Sequence, residues 1–224
     1  MMLEAAMTAP LGWLVRLRLE DLDGGWVTDI RPLLAPVGEA IQRASLRAES
    51  VAPDADDSGY AEAVLDEACD EVEGLLGVAF VIAQVGIAHT VAAVKSLRVM
   101  LKEVAPSVRL RVEDCVDLGQ EGEFSKIAVL NAFANYFKHR DEWVGSWKKL
   151  TDGAGRTANA IMAAGAAPGS TGNLRTGADA IGLRPYGGVV MLADMLNSWR
   201  RALKEYYQER LESAGLLKWE GDGG

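Results

Sequence analysis

The sequence predicts a mainly α protein, a helical bundle of four to five helices with one short strand near its N-terminus. Apolar residues recur at three- and four-residue intervals in several long segments, as they do on helices with one buried face. No proline interrupts the chain between Tyr60 and Lys102, and a single early stretch alternates with a period of two.

That stretch, residues 12–19 (GWLVRLRL), sets Trp13, Val15, Leu17 and Leu19 against Leu14, Arg16 and Arg18, which suits a strand closed by the turn-like DLDGG. From Pro32 to about Glu49, Leu33, Leu34, Val37, Ile41 and Leu46 recur at helical spacing, with Pro32 in the first turn. The polar SVAPDADDSG that follows reads as a hinge. The expected organisation is an N-terminal appendage over 1–50, a linker over 51–59, a helical bundle over 60–214 and a flexible tail over 215–224.

Tyr60 to about Lys102 is expected as one very long helix, or as two helices broken near Gly86. Within it, residues 74–94 carry no formal charge, about the ~20 residues a bilayer-spanning helix needs. Gln84, His89 and Thr90, with many Ala and Gly in place of Leu, favour instead a bundle helix buried nearly all round, with no membrane. A connection follows, with a short extended piece over Val108 to Val112. A helix from about Glu123 to Trp147 comes next. Residues 153–188 are rich in Ala and Gly, with a short helix in RTANAIMAAGA and a flexible loop in AAPGSTGNLRTG. Val189 to about Ala214 is amphipathic and ends before Gly215.

Composition limits the function classes. The 224 residues are 49% hydrophobic and 25% charged, the balance of a folded chain. A net charge of −9 repels phosphate backbones and anionic membranes, so any nucleic-acid contact has to be local. The acid is concentrated: no Lys or Arg stands between Ala48 and Val94. Two cysteines, Cys69 and Cys115, make neither a disulfide framework nor a CxxC pair, and MMLEAAMTAPLGWLV lacks the pattern of a signal peptide. The expected location is cytoplasmic.

Little of the sequence carries chemistry, and most of what does lies in NAFANYFKHRDEW, Asn131 to Trp143, which holds one of only two histidines. At 100° per residue, Asn131, Asn135, Lys138, His139 and Glu142 fall within one ~100° arc, opposite Leu130, Phe133, Phe137 and Val144. Asn135 and His139, four apart, are close enough for the amide to orient the imidazole. A histidine that moves protons near neutral pH beside Lys138 and Arg140 suits RNA cleavage by the 2'-hydroxyl without a metal. A solvated polar face gives the same pattern and is the commoner outcome.

The string Ala134-Asn135-Tyr136-Phe137-Lys138-His139 resembles the motif of the HEPN superfamily, helical-bundle domains of which many are metal-independent ribonucleases of toxin–antitoxin, abortive-infection and other defence systems. The family pattern is an arginine, a polar residue often Asn, three variable residues and a histidine. Asn135 matches the polar position and His139 the histidine, while Ala134 stands where the arginine belongs, and a methyl group cannot bind phosphate. The resemblance implies RNA binding or metal-independent RNA cleavage, with activity open to loss. His139 would be the acid/base and Asn135 its orienter; Lys138, Arg140 and Asn131 would contact substrate, without cofactor or metal. HEPN-like domains commonly pair so that two motif helices face one cleft, which implies a homodimer, and their systems supply a protein partner such as an antitoxin. The competing expectation is a non-enzymatic interaction or dimerisation module.

Other candidates are weaker. Trp143 and Trp147 can stack on bases, although packing is the weightier reading. His89 is expected as a hydrogen-bonded core residue. Asp66, Asp70 and Glu73 have helical spacing compatible with a divalent ion, or with a solvated helix start. DGAGRT at Asp152 lacks the first glycine and the lysine of a phosphate loop.

Overall fold

The computed structural model describes residues 12–23, 29–51, 59–116, 125–143 and 145–217. It is mainly helical, with no strand among the described residues. The α-helices are α1 (residues 12–20), α2 (Arg31–Val51), α3 (Gly59–Met100), α4 (Glu113–Val116), α5 (Ser125–His139), α6 (Asp152–Ala163), α7 (Asn173–Ala180) and α8 (Met191–Ser213).

α3 is the axis of the molecule. Its 42 residues, unbroken at Gly86, run for ~63 Å, and α2, α5, α7 and α8 all pack on it. Leu76, Phe80, Ala83, Ile87, Val94 and Leu97 are buried along its length. Val15, Leu19, Leu34 and Ile41 from α1 and α2 enter the same core as Leu130, Phe133, Leu196 and Leu203 from α5 and α8. α3 is also long and apolar enough to cross a membrane by length and composition.

The strand expected over 12–19 is instead a helix. Val15, Leu19 and Leu22 are buried at spacings of four and three, while Trp13 is 65% exposed, so the alternating pattern was incidental to a helical stripe. Residues 108–111 have no regular structure. The helix expected to reach Trp147 stops at His139, passing into 3₁₀ turns at Arg140–Glu142 and Trp147–Lys149. The Ala- and Gly-rich region forms two further helices, α6 and α7, rather than one helix and a loop. At the C-terminus, Gly215 takes a left-handed φ of 69° beyond α8, and Leu217 is buried. The central part of the expected linker, 52–58, and the tail beyond 217 lie outside the described residues, as do Glu123 and Val144.

His89, expected in the core, is exposed, and its neighbour Thr90 is the buried polar residue. Thr90 Oγ1 accepts from Arg200 Nε at 2.8 Å, and the Gly86 carbonyl accepts from Arg200 Nη2 at 3.0 Å. This guanidinium from α8, almost fully buried, is held below its ordinary pKa by burial.

Candidate functional site on the edge of α5

Three anchors fix the rotation of α5, and with it the residues that face out. Phe133 is fully buried, 6.4 Å between centroids from Phe80 of α3, and its other side lies against Gly177 of α7. A Cβ at Gly177 would come within 2.6 Å of Phe133 Cγ, so only glycine lets α7 approach this closely. Phe137 lies against Gly77 of α3 in the same way. Tyr136 packs against Trp143 and Trp147 at 5.7 and 5.4 Å, and its hydroxyl accepts from Asn173 Nδ2 at 3.1 Å.

α7 is itself tied to α3. Glu73 Oε1 accepts from the Leu174 amide at 2.5 Å and Oε2 from the Arg175 amide at 3.2 Å, so a carboxylate of the central helix caps the N-terminus of α7. Burial pushes the Glu73 carboxyl above the usual carboxylate range, against the smaller pull of these amides and of Arg175. Asn173 Oδ1 accepts from Ala167, and its Nδ2 also faces the Ala167 and Ser170 carbonyls, closing the preceding loop.

With α5 so held, Asn131 and Asn135 turn toward Gln84 of α3. Gln84 Nε2 donates to Asn131 Oδ1 at 2.8 Å and to Asn135 Oδ1 at 2.9 Å. Both asparagine oxygens are therefore drawn inward, and their amino groups have no protein partner among the described residues. One turn on, Lys138 is exposed. The His139 side chain is 49% exposed, with Nδ1 3.1 Å from Glu142 Oε1. A carboxylate at Nδ1 favours the tautomer with its proton there, leaving Nε2 free to accept a proton.

The structure thus brings together Asn131, Asn135, Lys138 and His139 on one edge, with roles that differ from expectation. Asn135 is engaged by Gln84 and does not orient the imidazole; Glu142 does. Arg140 stacks over Phe137 at 4.9 Å, and its Nε lies 4.0 Å from Asp141. Ala134 is fully buried, so a cation at that position would stand in the core. Trp143 and Trp147 are buried, which assigns them to packing. Gln84 was missed as a site residue, although it is the one amide in the charge-free run and so the visible signal.

The remaining candidates dissolve into structure. Glu73 faces the α7 amides while Asp66 and Asp70 are exposed, and no group of three or more His, Cys, Asp or Glu gathers in metal-binding geometry among the described residues. Asp152 opens α6. Burial pushes the Cys115 thiol up to about 12, which removes it as a nucleophile at neutral pH. No family model, curated protein or solved structure matches the chain.

Proposed function

We propose that this chain is a HEPN-like RNA-binding protein, built as a bundle of the long helices α2, α3, α5 and α8, and that it engages RNA along the α5 edge. The observation that carries the reading is the Gln84–Asn131–Asn135 cluster: Gln84 takes both side-chain oxygens, which leaves two amide donors without a partner among the described residues on the helix face that carries Lys138 and His139. Amide donors and a lysine suit phosphate and base-edge oxygens, and they act locally despite the net charge of −9.

Cleavage, where it occurs, rests on His139. Glu142 holds its Nδ1, and Nε2 takes the proton of a 2'-hydroxyl as that oxygen attacks the adjacent phosphorus; the P–O5' bond breaks to leave a 2',3'-cyclic phosphate, and the departing 5'-oxygen takes a proton from water. With Ala134 buried and Arg140 drawn onto Phe137, Lys138 is the cation left to meet developing phosphate charge, so cleavage is weak beside binding. A cytoplasmic role in a toxin–antitoxin or phage-defence setting, beside an antitoxin-like partner, is the biological context this reading suggests.

The test is retention of fluorescent single-stranded RNA across a salt series. One or two phosphate contacts give a log–log slope of about −0.7 to −1.4. The variant Lys138→Gln should flatten it by about 0.7, while salt-independent retention, or none, removes the RNA reading.

A further inference from the structure

We infer that an RNA strand on the α5 edge continues past His139 over the 3₁₀ turn Trp147–Lys149, where Lys148 and Lys149 hold its next phosphates. This rests on the RNA reading and extends it from an edge to a track with a direction.

Going round α5, His139 stands at the border between the open edge and the covered side. Asn135 lies ~40° from it on the open side, while Ala132 at ~20° and Tyr136 at ~60° on the other side are both buried. The 3₁₀ turn helps to cover that side. Its Trp147 ring lies 5.4 Å from Tyr136 and 5.8 Å from Trp143, and Trp147 is buried. This ring anchors the turn beside the last turn of α5, and the two residues after it, Lys148 and Lys149, are exposed.

Charge decides which way a strand leaves His139. α5 runs antiparallel to α3, since Asn131 meets Gln84, Phe133 meets Phe80 and Phe137 meets Gly77. A strand that continued along α3 would next meet Asp70 and Asp66, which are exposed and lie within ~20° of Gly77 round that helix. A strand that crossed the turn would meet Lys148 and Lys149, neither of which has an ion-pair partner among the described residues. The carboxylates on the way are already engaged, Glu142 by His139 at 3.1 Å and Asp141 by Arg140 at 4.0 Å. From 148 to 156, three cations stand against Asp152 alone. The surface is thus negative on the α3 side of His139 and positive on the side of the turn, in a chain whose net charge is −9.

Lys148 and Lys149 are binding residues: they meet the phosphates beyond the reacting one, at which Lys138 keeps its place. An ammonium on a flexible stem holds a phosphate without reading the base, so the track suits single-stranded RNA of any sequence.

The test is the salt series on a ten-nucleotide single-stranded RNA. Two contacts beyond the one or two of the edge give a log–log slope of about −2.1 to −2.8. Lys148→Gln combined with Lys149→Gln should flatten it by about 1.4, while Lys148→Arg combined with Lys149→Arg should keep it. Arg109→Gln combined with Arg111→Gln removes the same charge beyond the far end of α3 and should leave the slope unchanged. All four positions are exposed, so melting temperatures should not move. Wild-type binding whose slope the Lys→Gln pair leaves unchanged would overturn the track and leave the RNA reading standing. Equal flattening by the Arg→Gln pair, or flattening by the Lys→Arg pair, would overturn it as well, by tracing the effect to net charge or to packing. A wild type that binds no RNA removes the RNA reading, and this inference with it.

Discussion

Replacing Glu73 by alanine removes the acceptor that the first amides of α7 share. Leu174 is fully buried, so its N–H, now 2.5 Å from Glu73 Oε1, has no route to water. A buried donor left unpaired costs about 1–3 kcal/mol. The Arg175 amide, on a half-buried residue, turns to solvent at smaller cost, and deleting a desolvated carboxylate returns part of the loss. The expected net destabilisation is about 2 kcal/mol. Glutamine behaves differently. Burial raises the Glu73 carboxyl above its ordinary value of 4.5, so the fold favours the protonated form. Its contribution is greatest below 4.5 and declines as pH rises through the folded value. Glu73→Gln imitates the protonated acid, and at neutral pH it should be at least as stable as the parent while losing this pH dependence. Urea denaturation at neutral and acid pH, with hydrogen exchange at the Leu174 amide, measures both effects. An alanine variant as stable as the parent, or a glutamine variant as damaged as alanine, would refute the capping argument.

Three further outcomes follow from the same packing. Gly177→Ala drives a Cβ into the ring of Phe133, which has no outlet, so overpacking of about 1–3 kcal/mol should exceed the ~1 kcal/mol that alanine gains in a helix, and the thermal midpoint should fall. Asn173→Ala strips the hydroxyl partner of Tyr136 and opens the 167–170 loop; the expected loss is about 1–3 kcal/mol, with a red shift of tryptophan emission from Trp143 and Trp147. Gln84→Ala releases the two asparagine carbonyls from a half-buried position, so RNA retention should drop severalfold while the denaturation midpoint stays nearly unchanged.

The long helices were legible because burial on one face leaves a repeating apolar stripe. α3 and α8 follow the pattern of their sequences almost to the residue. α1 reads as a strand only while Leu22 is placed in the turn that follows; counted with Val15 and Leu19 it gives the spacing of a helix. α7, and the first turn of α6 ahead of the short helix expected there, escaped because glycine carries two opposite signals. It weakens a helix in isolation, yet Gly155 and Gly177 stand where neighbouring atoms leave no room for a Cβ. The wet face of α5 was legible from spacing alone. The partner that orders its asparagines was not, since Gln84 lies 47 residues before Asn131 and only the tertiary fold brings them together. Arg140 could not be placed either, because its stacking on Phe137 depends on where the helix ends.

The central claim is that the α5 edge binds RNA and that whatever cleavage occurs passes through His139. Purified protein and its His139→Ala variant, incubated with mixed RNA in EDTA, test the chemical half directly. Retention of the same RNA at rising salt, measured alongside, tests binding. The expected result is salt-dependent binding by both proteins, with slow cleavage by the parent that falls by ~100-fold or more in the variant. Equal cleavage in both samples would remove His139 as the acid/base, and absence of binding in both would contradict the claim as a whole.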